Sequence, residues 1–357
     1  MGNAMDTPTI RILDTISSSI GDSLSIYQLT ERIKEHYGSA YYSNIYQKLQ
    51  ELKGEGLLNL EPKLTGRSSN IKLNFENYLL VDILAEIEIE KKMEFLSKRN
   101  NLFSLFTEMD KFSTDTCSIK SISSINPLRN IKLNKIEFLF LLRETPDYFN
   151  QKIELSKEML NLQKKYNLKI DSLIMDKQEF FDIVTSDEIN PVREALADKI
   201  SLYNPQAFWS QIKEIAEKSR IRAISPETKP LNISDSDLAY NLNRFGYSEF
   251  GAKLTQGRKF CIEYITTSLL LREEARGIDA TAVILAKNNF KSNLLSFLSQ
   301  KYQTAPRLLG ILKILQHTNP KPEIQNTSKI LKVLNKEEEL PADEASIKQK
   351  LELYHAL

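Results

Sequence analysis

Apolar positions along the chain fall into two rhythms, one helical and one extended. Ile10, Leu13, Ile16 and Ile20 recur three or four apart and predict a helix that opens at Pro8 and stops at Gly21. Ile26, Leu29 and Ile33 predict a second, with Ser25 and Gln28 spaced as a capping box and Gly38 at its end. Ile45, Leu49 and Leu52 predict a third from Ser39 to about Lys53, broken at Gly54-Glu55-Gly56. Leu57 to Leu60 and the alternating Ile71 to Phe75 read as paired strands around a polar loop. From Asn77 to about Arg99 one long helix follows, with Leu79, Leu80, Ile83, Leu84, Ile87 and Met93 inward and Glu86, Glu88 and Glu90 outward.

The middle of the chain changes rhythm. A helix from Leu102 to Phe112 and a serine-rich, half-exposed strand, Thr116 to Ile125, precede the apolar run Ile136 to Leu142, which Glu137 interrupts. A helix carrying Ile153, Met159, Leu160 and Leu162 leads to a second run, Leu168 to Met175, again with one acid, Asp171. A short helix, Lys177 to Val184, closes the unit. Burying a carboxylate in such a run is costly unless it has a partner. Two neighbouring strands with one acid each would bring both to one sheet edge, the geometry of divalent-metal phosphoryl-transfer sites. Beyond a linker, Ser219 to Ile233, the pattern is helical to about His317, with a turn at Arg276–Asp279, one helix from Thr281 to Tyr302 and another from Pro306 to His317. That predicts a bundle of four or five helices. Arg244, Lys253, Arg258 and Lys259 read as its solvated face, and residues 319–357 as a polar tail with a last helix from Asp343 to Tyr354, docked or loose.

The first unit, with "LQELKGEGLL" ahead of its hairpin, resembles the winged helix-turn-helix domains of prokaryotic and archaeal transcription regulators. The resemblance implies double-stranded DNA as a partner, with the third helix in the major groove. Its outward positions would be Ser39, Tyr41, Tyr42, Ser43, Asn44, Gln47 and Lys48, with Lys63, Arg67 and Ser68 reaching from the hairpin tip. Residues 7–75 hold eight basic and seven acidic residues, a meagre balance for a phosphate binder, so dimerisation or protein contacts stay open.

The middle unit, with "DKQEFFDIV" and "NPVREALADKISLYNP", resembles the second half of a polymerase-beta-type nucleotidyltransferase domain over about Phe112 to Trp209. Asp171 matches the family's third catalytic carboxylate. The family's Gly-Ser motif would fall near Ile122-Ser123, where there is no glycine, and its Asp-X-Asp at Lys135-Ile136-Glu137. A lysine there brings positive charge to the place of Mg²⁺. Glu137 and Asp171 are therefore expected as vestigial catalytic residues, with no metal and no cofactor. Ser123, Lys132 and Lys135 are candidates for holding an anion or nucleotide effector.

The expected fold class is α+β and multidomain: winged helix (7–75), connecting helix (76–100), mixed-sheet nucleotidyltransferase-like domain (101–218), helical bundle (234–318) and tail (319–357). Composition narrows little further. The net charge of the 357 residues is +1, so nucleic-acid binding needs a local patch. Cys117 and Cys261 with His36, His317 and His355 offer no metal-ligand spacing, and the thiols read as reduced in a cytoplasmic protein. No run reaches the ~18 apolar residues of a membrane span. The reading is a DNA-binding transcription regulator, a homodimer if its site is palindromic, with a catalytically silent nucleotidyltransferase-like domain. The alternatives are an active nucleotidyltransferase with an atypical metal site and a protein-interaction scaffold.

Overall fold

A computed structural model of the chain describes residues 6–62, 69–115, 118–127, 134–248, 254–335 and 339–357. Lys63, Arg67, Ser68, Cys117, Lys132 and Lys253, singled out above, lie outside them. Among the described residues the fold is α+β, with sixteen helices, a two-stranded sheet and a mixed four-stranded sheet.

Three helices open the chain: α1 (Thr7–Ser17), α2 (Ile26–Tyr37) and α3 (Tyr42–Gly54). The Ser25–Gln28 capping box forms, and Gly38 ends α2 in the left-handed conformation. The third helix starts later than its periodicity predicted. Tyr41 is extended and serves as N-cap, so Ser39 and Tyr41 lie on the approach to α3 rather than on its face. Strands β1 (Leu58–Pro62) and β2 (Ser69–Leu73) pair antiparallel, and Leu24 adds a single bridge to Ile71. Gly21 has φ +84°, and a Cβ there would sit 1.9 Å from the carbonyl oxygen of Ile221. Only glycine lets the stretch read as a linker pass so close. That stretch is packed: Ile221, Ala223 and Ile233 are buried, and Ala223 N–H donates to Ile20 O.

The long helix α4 (Leu80–Ser97) corrects the expected faces. Glu88 is buried, while Leu79, Ile89 and Met93 are exposed. The helix packs against α1, the strand Lys199–Tyr203 and the helix Pro205–Lys218, and Glu88 has a buried lysine to meet there. Partner geometry overrode apolar periodicity.

The mixed sheet has the order β5-β4-β3-β6, from β3 (Ile119–Ile125), β4 (Lys135–Leu142), β5 (Lys169–Met175) and β6 (Lys199–Tyr203). β3 runs antiparallel to β4 and β6, and β4 runs parallel to β5. Helices α5 (Asn100–Asp115), α6 (Tyr148–Tyr166), α7 (Lys177–Thr185), α8 (Pro191–Ala197) and α9 (Pro205–Lys218) complete this part. The expected half-exposed β3 is instead an interior strand, and Ser121, Ser123 and Ser124 are buried. Strand parity sorts the rest. Ile136, Phe138 and Phe140 face a core shared with α5 and α6, while Leu139, Leu141, Leu173 and Met175 face a larger core that reaches from Ile12 to Ala356. Glu137 and Asp171 have the parity of this second set.

The carboxyl-terminal helices are α10 (Asp235–Arg244), α11 (Ile262–Arg272), α12 (Ala275–Lys287), α13 (Ser292–Lys301), α14 (Ala305–Thr318), α15 (Pro322–Leu334) and α16 (Glu344–Leu353). The turn expected at Arg276–Asp279 lies inside α12, because Glu273 already ends α11 in the left-handed conformation. The single helix expected from Thr281 to Tyr302 is two, parted where Asn288 turns extended. The tail is docked rather than loose. Ile324, Ile330 and Leu331 bury α15, and Ile347 and Leu351 bury α16. The small polar Thr327 and Ser328, buried beside them, masked that periodicity in the sequence.

Candidate functional site, an occupied acid pair

Parallel pairing of β4 with β5 sets Glu137 directly opposite Asp171. Both side chains are nearly enclosed, at 2% and 3% exposure. The pairing expected from the two acid-bearing runs is therefore present. The space between the acids is taken by ammonium groups. Lys135 Nζ lies 2.8 Å from Glu137 Oε1 and 2.9 Å from Asp171 Oδ2. With Asp171 it forms an ion pair. Lys301, from the last turn of α13, donates to Glu137 Oε2 at 2.8 Å and also to Glu227. Lys169 stands 3.8 Å from Asp171. Three carboxylates and three ammoniums thus balance in a mostly buried cluster.

Burial works against the ionised form of Glu137, but Lys301 and Lys135 outweigh it and hold its carboxyl below the usual range. Burial likewise opposes the charge on Lys301, and Glu137 and Glu227 prevail and raise its pKa. Such a cluster leaves a divalent cation neither free oxygens nor favourable potential. Among the described residues no group of three or more histidine, cysteine or acidic side chains is placed to hold a metal ion.

The other anion candidates fare differently. Ser123 is buried, its hydroxyl 3.3 Å from that of Ser201, and so is closed to solvent anions. Lys135 is committed to the two acids.

On the amino-terminal unit, Tyr41, Tyr42 and Tyr46 are 71%, 52% and 48% exposed, and the last two rings stack at 6.4 Å. Ser43 and Asn44 are exposed beside them, and Gln47 Nε2 reaches Glu51 at 3.4 Å. Lys48 is not a free cation. It contacts Asp6 and Glu51, each at 2.7 Å, and these bonds push its pKa up to about 12. Of the bundle's basic residues, Arg244 pairs with Glu188, Arg258 with Asp237 and Lys259 with Asp187, so this solvated face is also neutralised within the chain.

Sequence reasoning missed Lys301, Glu227 and the Glu88–Lys199 pair. The only trace was an unexplained acid on each of two apolar elements, which required a cation without naming it. Glu88 meets Lys199 Nζ at 2.5 Å and the Ser201 N–H at 2.8 Å. Lys91 links it onward, 3.8 Å from Glu88 and 2.8 Å from Asp14. Tyr37 donates to Asp14, so one charge chain ties α1, α2 and α4 to β6.

Glu194 makes a third buried polar cluster. It accepts from Thr228 N–H at 2.8 Å and from the Tyr264 hydroxyl. Burial outweighs these bonds and raises its pKa to about 7. A raised acid favours the folded state fully below its unfolded pKa, about 4.5, and that contribution drains away as pH rises through 7. Glu194→Gln keeps an oxygen acceptor and has no proton to lose. Relative to wild type, the variant is expected to gain roughly 2 kcal/mol of stability between pH 5 and pH 8 in urea titrations. A constant difference across that range would refute the assignment.

No family model, no curated protein and no solved structure matches this chain. No helix among the described residues is long and apolar enough to cross a membrane.

Proposed function

We propose that the chain is a DNA-binding transcription regulator, with a winged helix at its amino terminus and a nucleotidyltransferase-like domain that carries no catalysis. The observation that carries the second half is the occupied acid pair. Positions that resemble metal-holding ones are neutralised by Lys135 and Lys301. A ligand-free magnesium site keeps its carboxylates open to water and ion; this one is closed by its own chain. The first half is supported by the order of three helices and a hairpin, and by the exposed hydrogen-bonding groups of α3, namely Ser43, Asn44 and Gln47. DNA recognition here rests on base-edge contacts more than on phosphate charge, because Lys48 is already paired.

One observation favours a second reading. Tyr41, Tyr42 and Tyr46 form an exposed, uncharged aromatic surface, the composition of a protein-binding patch. Selecting bound duplexes from a fragment library, followed by fluorescence anisotropy, separates the two readings. An enriched motif is expected, with Asn44→Ala and Gln47→Ala each losing about 1–3 kcal/mol of discrimination at one base position. Retention of no duplex even at low salt sinks the DNA reading. Magnesium-dependent nucleotide turnover that Glu137→Gln abolishes sinks the assignment of inactivity.

A further inference from the structure

Between the ends of α1 and α2, the last turns of α4 and the start of β6 lies a cavity of 480 Å³. That volume suits a small ligand. Its charged lining falls into two groups. Lys91 is held by Asp14, Lys199 by Glu88 and Lys98 by Glu94. Arg99 and Asp198 have no such partner. The Arg99 guanidinium stands 5.9 Å from the ring centre of Phe95 and forms no ion pair among the described residues. Burial alone acts on its pKa, pulling it down, as for a cation with no anion beside it. The side chain of Asp198, an exposed residue, likewise has no hydrogen bond or ion pair among the described residues. Lys91 and His36 act on it only from beyond pairing distance. Glu35, exposed on the same lining, adds a second acid without a partner there.

The free charges of the cavity are therefore one cation and two acids. A polyanion would meet a single guanidinium and two repelling carboxylates. A metal ion lacks three convergent ligands among the described residues. Phe95, Pro127, Ala197 and Ile200 line the same space with apolar surface. A small molecule with one anion, one cation and an apolar body answers all three features. We propose that this cavity binds a free amino acid with an apolar side chain. Its carboxylate pairs with Arg99, a fit that guanidinium favours, and its ammonium with Asp198. Its side chain covers Phe95 and Ile200. The cavity walls come from both the amino-terminal unit and the mixed sheet, so occupancy raises the melting temperature of the full chain. The site does not rest on the DNA reading, and titration reads it without DNA.

Isothermal titration of the full chain tests it with leucine against isoamylamine and isocaproate, and with phenylalanine against phenethylamine and hydrocinnamate. Each analogue lacks one of the two charges. Saturable binding is expected for leucine or phenylalanine, at least about tenfold tighter than for either of its analogues, the worth of one charge-assisted hydrogen bond. Arg99→Gln should weaken that binding about tenfold and erase the preference over the amine. Asp198→Asn should do the same and erase the preference over the acid. Both side chains reach solvent, so the ligand-free melting temperature should not move. Should either variant fold poorly, the analogue comparison in the unaltered chain decides. Absence of saturable binding by both amino acids overturns the proposal. So does an amine that binds as tightly as its amino acid, which would make this a cation pocket of Asp198 and Glu35, or affinity that survives Arg99→Gln.

Discussion

Replacing Lys301 by methionine is expected to destabilise the protein by about 3–5 kcal/mol in chemical denaturation, because it removes the cation that two buried acids share. The ammonium is 9% exposed and bonds Glu137, at 2% exposure, and Glu227, at 10%. Methionine fills similar volume, so the loss reports charge rather than a cavity. Adding Glu137→Gln should return more than 1 kcal/mol, since it removes one of the charges that Lys301 answered; the double-mutant cycle measures that coupling. The pH dependence gives a second check. The folded pKa of Glu137 is depressed from 4.5, so its contribution is present above that value and is lost as pH falls through the folded pKa. The gap between wild type and variant should therefore narrow in acid. A loss below 1 kcal/mol at pH 7 would show that water, not Lys301, satisfies the acids.

Lys199→Met should cost a comparable 3–5 kcal/mol, at a different junction. Lys199 and Glu88 are 4% and 2% exposed, and their contact joins β6 to α4. Burial pulls the lysine pKa down, and Glu88 offsets only part of that. Without Lys199, Glu88 keeps Lys91 at 3.8 Å and one backbone N–H, too little for a buried carboxylate. The lysine Nζ also lies 4.4 Å from the ring centre of Trp209, the chain's single tryptophan. The unfolding transition can therefore be followed at this site by intrinsic fluorescence, and the native emission should shift when the cation is removed. Unchanged stability with shifted emission would mean that the pair is replaceable by packing alone.

The two predictions concern residues of unequal legibility. Glu137 and Asp171 stood out in the sequence because each broke an apolar run, and neighbouring strands could hold both at one sheet edge. That they stand directly opposite each other was set by the parallel register of β4 and β5. Nothing local marked Lys301 or Glu227. They are separated from Glu137 by 164 and 90 positions, and each sits in a segment whose own pattern is ordinary. Glu88 was misread for a related reason. Helical periodicity counts a glutamate as outward, and only a lysine arriving from β6 makes an inward glutamate tolerable.

The sequence by itself determined the local elements whose signals are short-range: the capping box at Ser25, the left-handed stop at Gly38, and the alternation that pairs β1 with β2. It also marked two acids, each breaking an apolar run, that neighbouring strands could bring together. Tertiary structure alone decided what those acids do. It brought α13 and the stretch before α10 against β4, so that lysine, not a metal ion, answers the carboxylates. The physical reason is range. Caps and turns are settled by neighbours within four residues, whereas the sign and number of charges in a buried site depend on whichever distant elements the core draws over it.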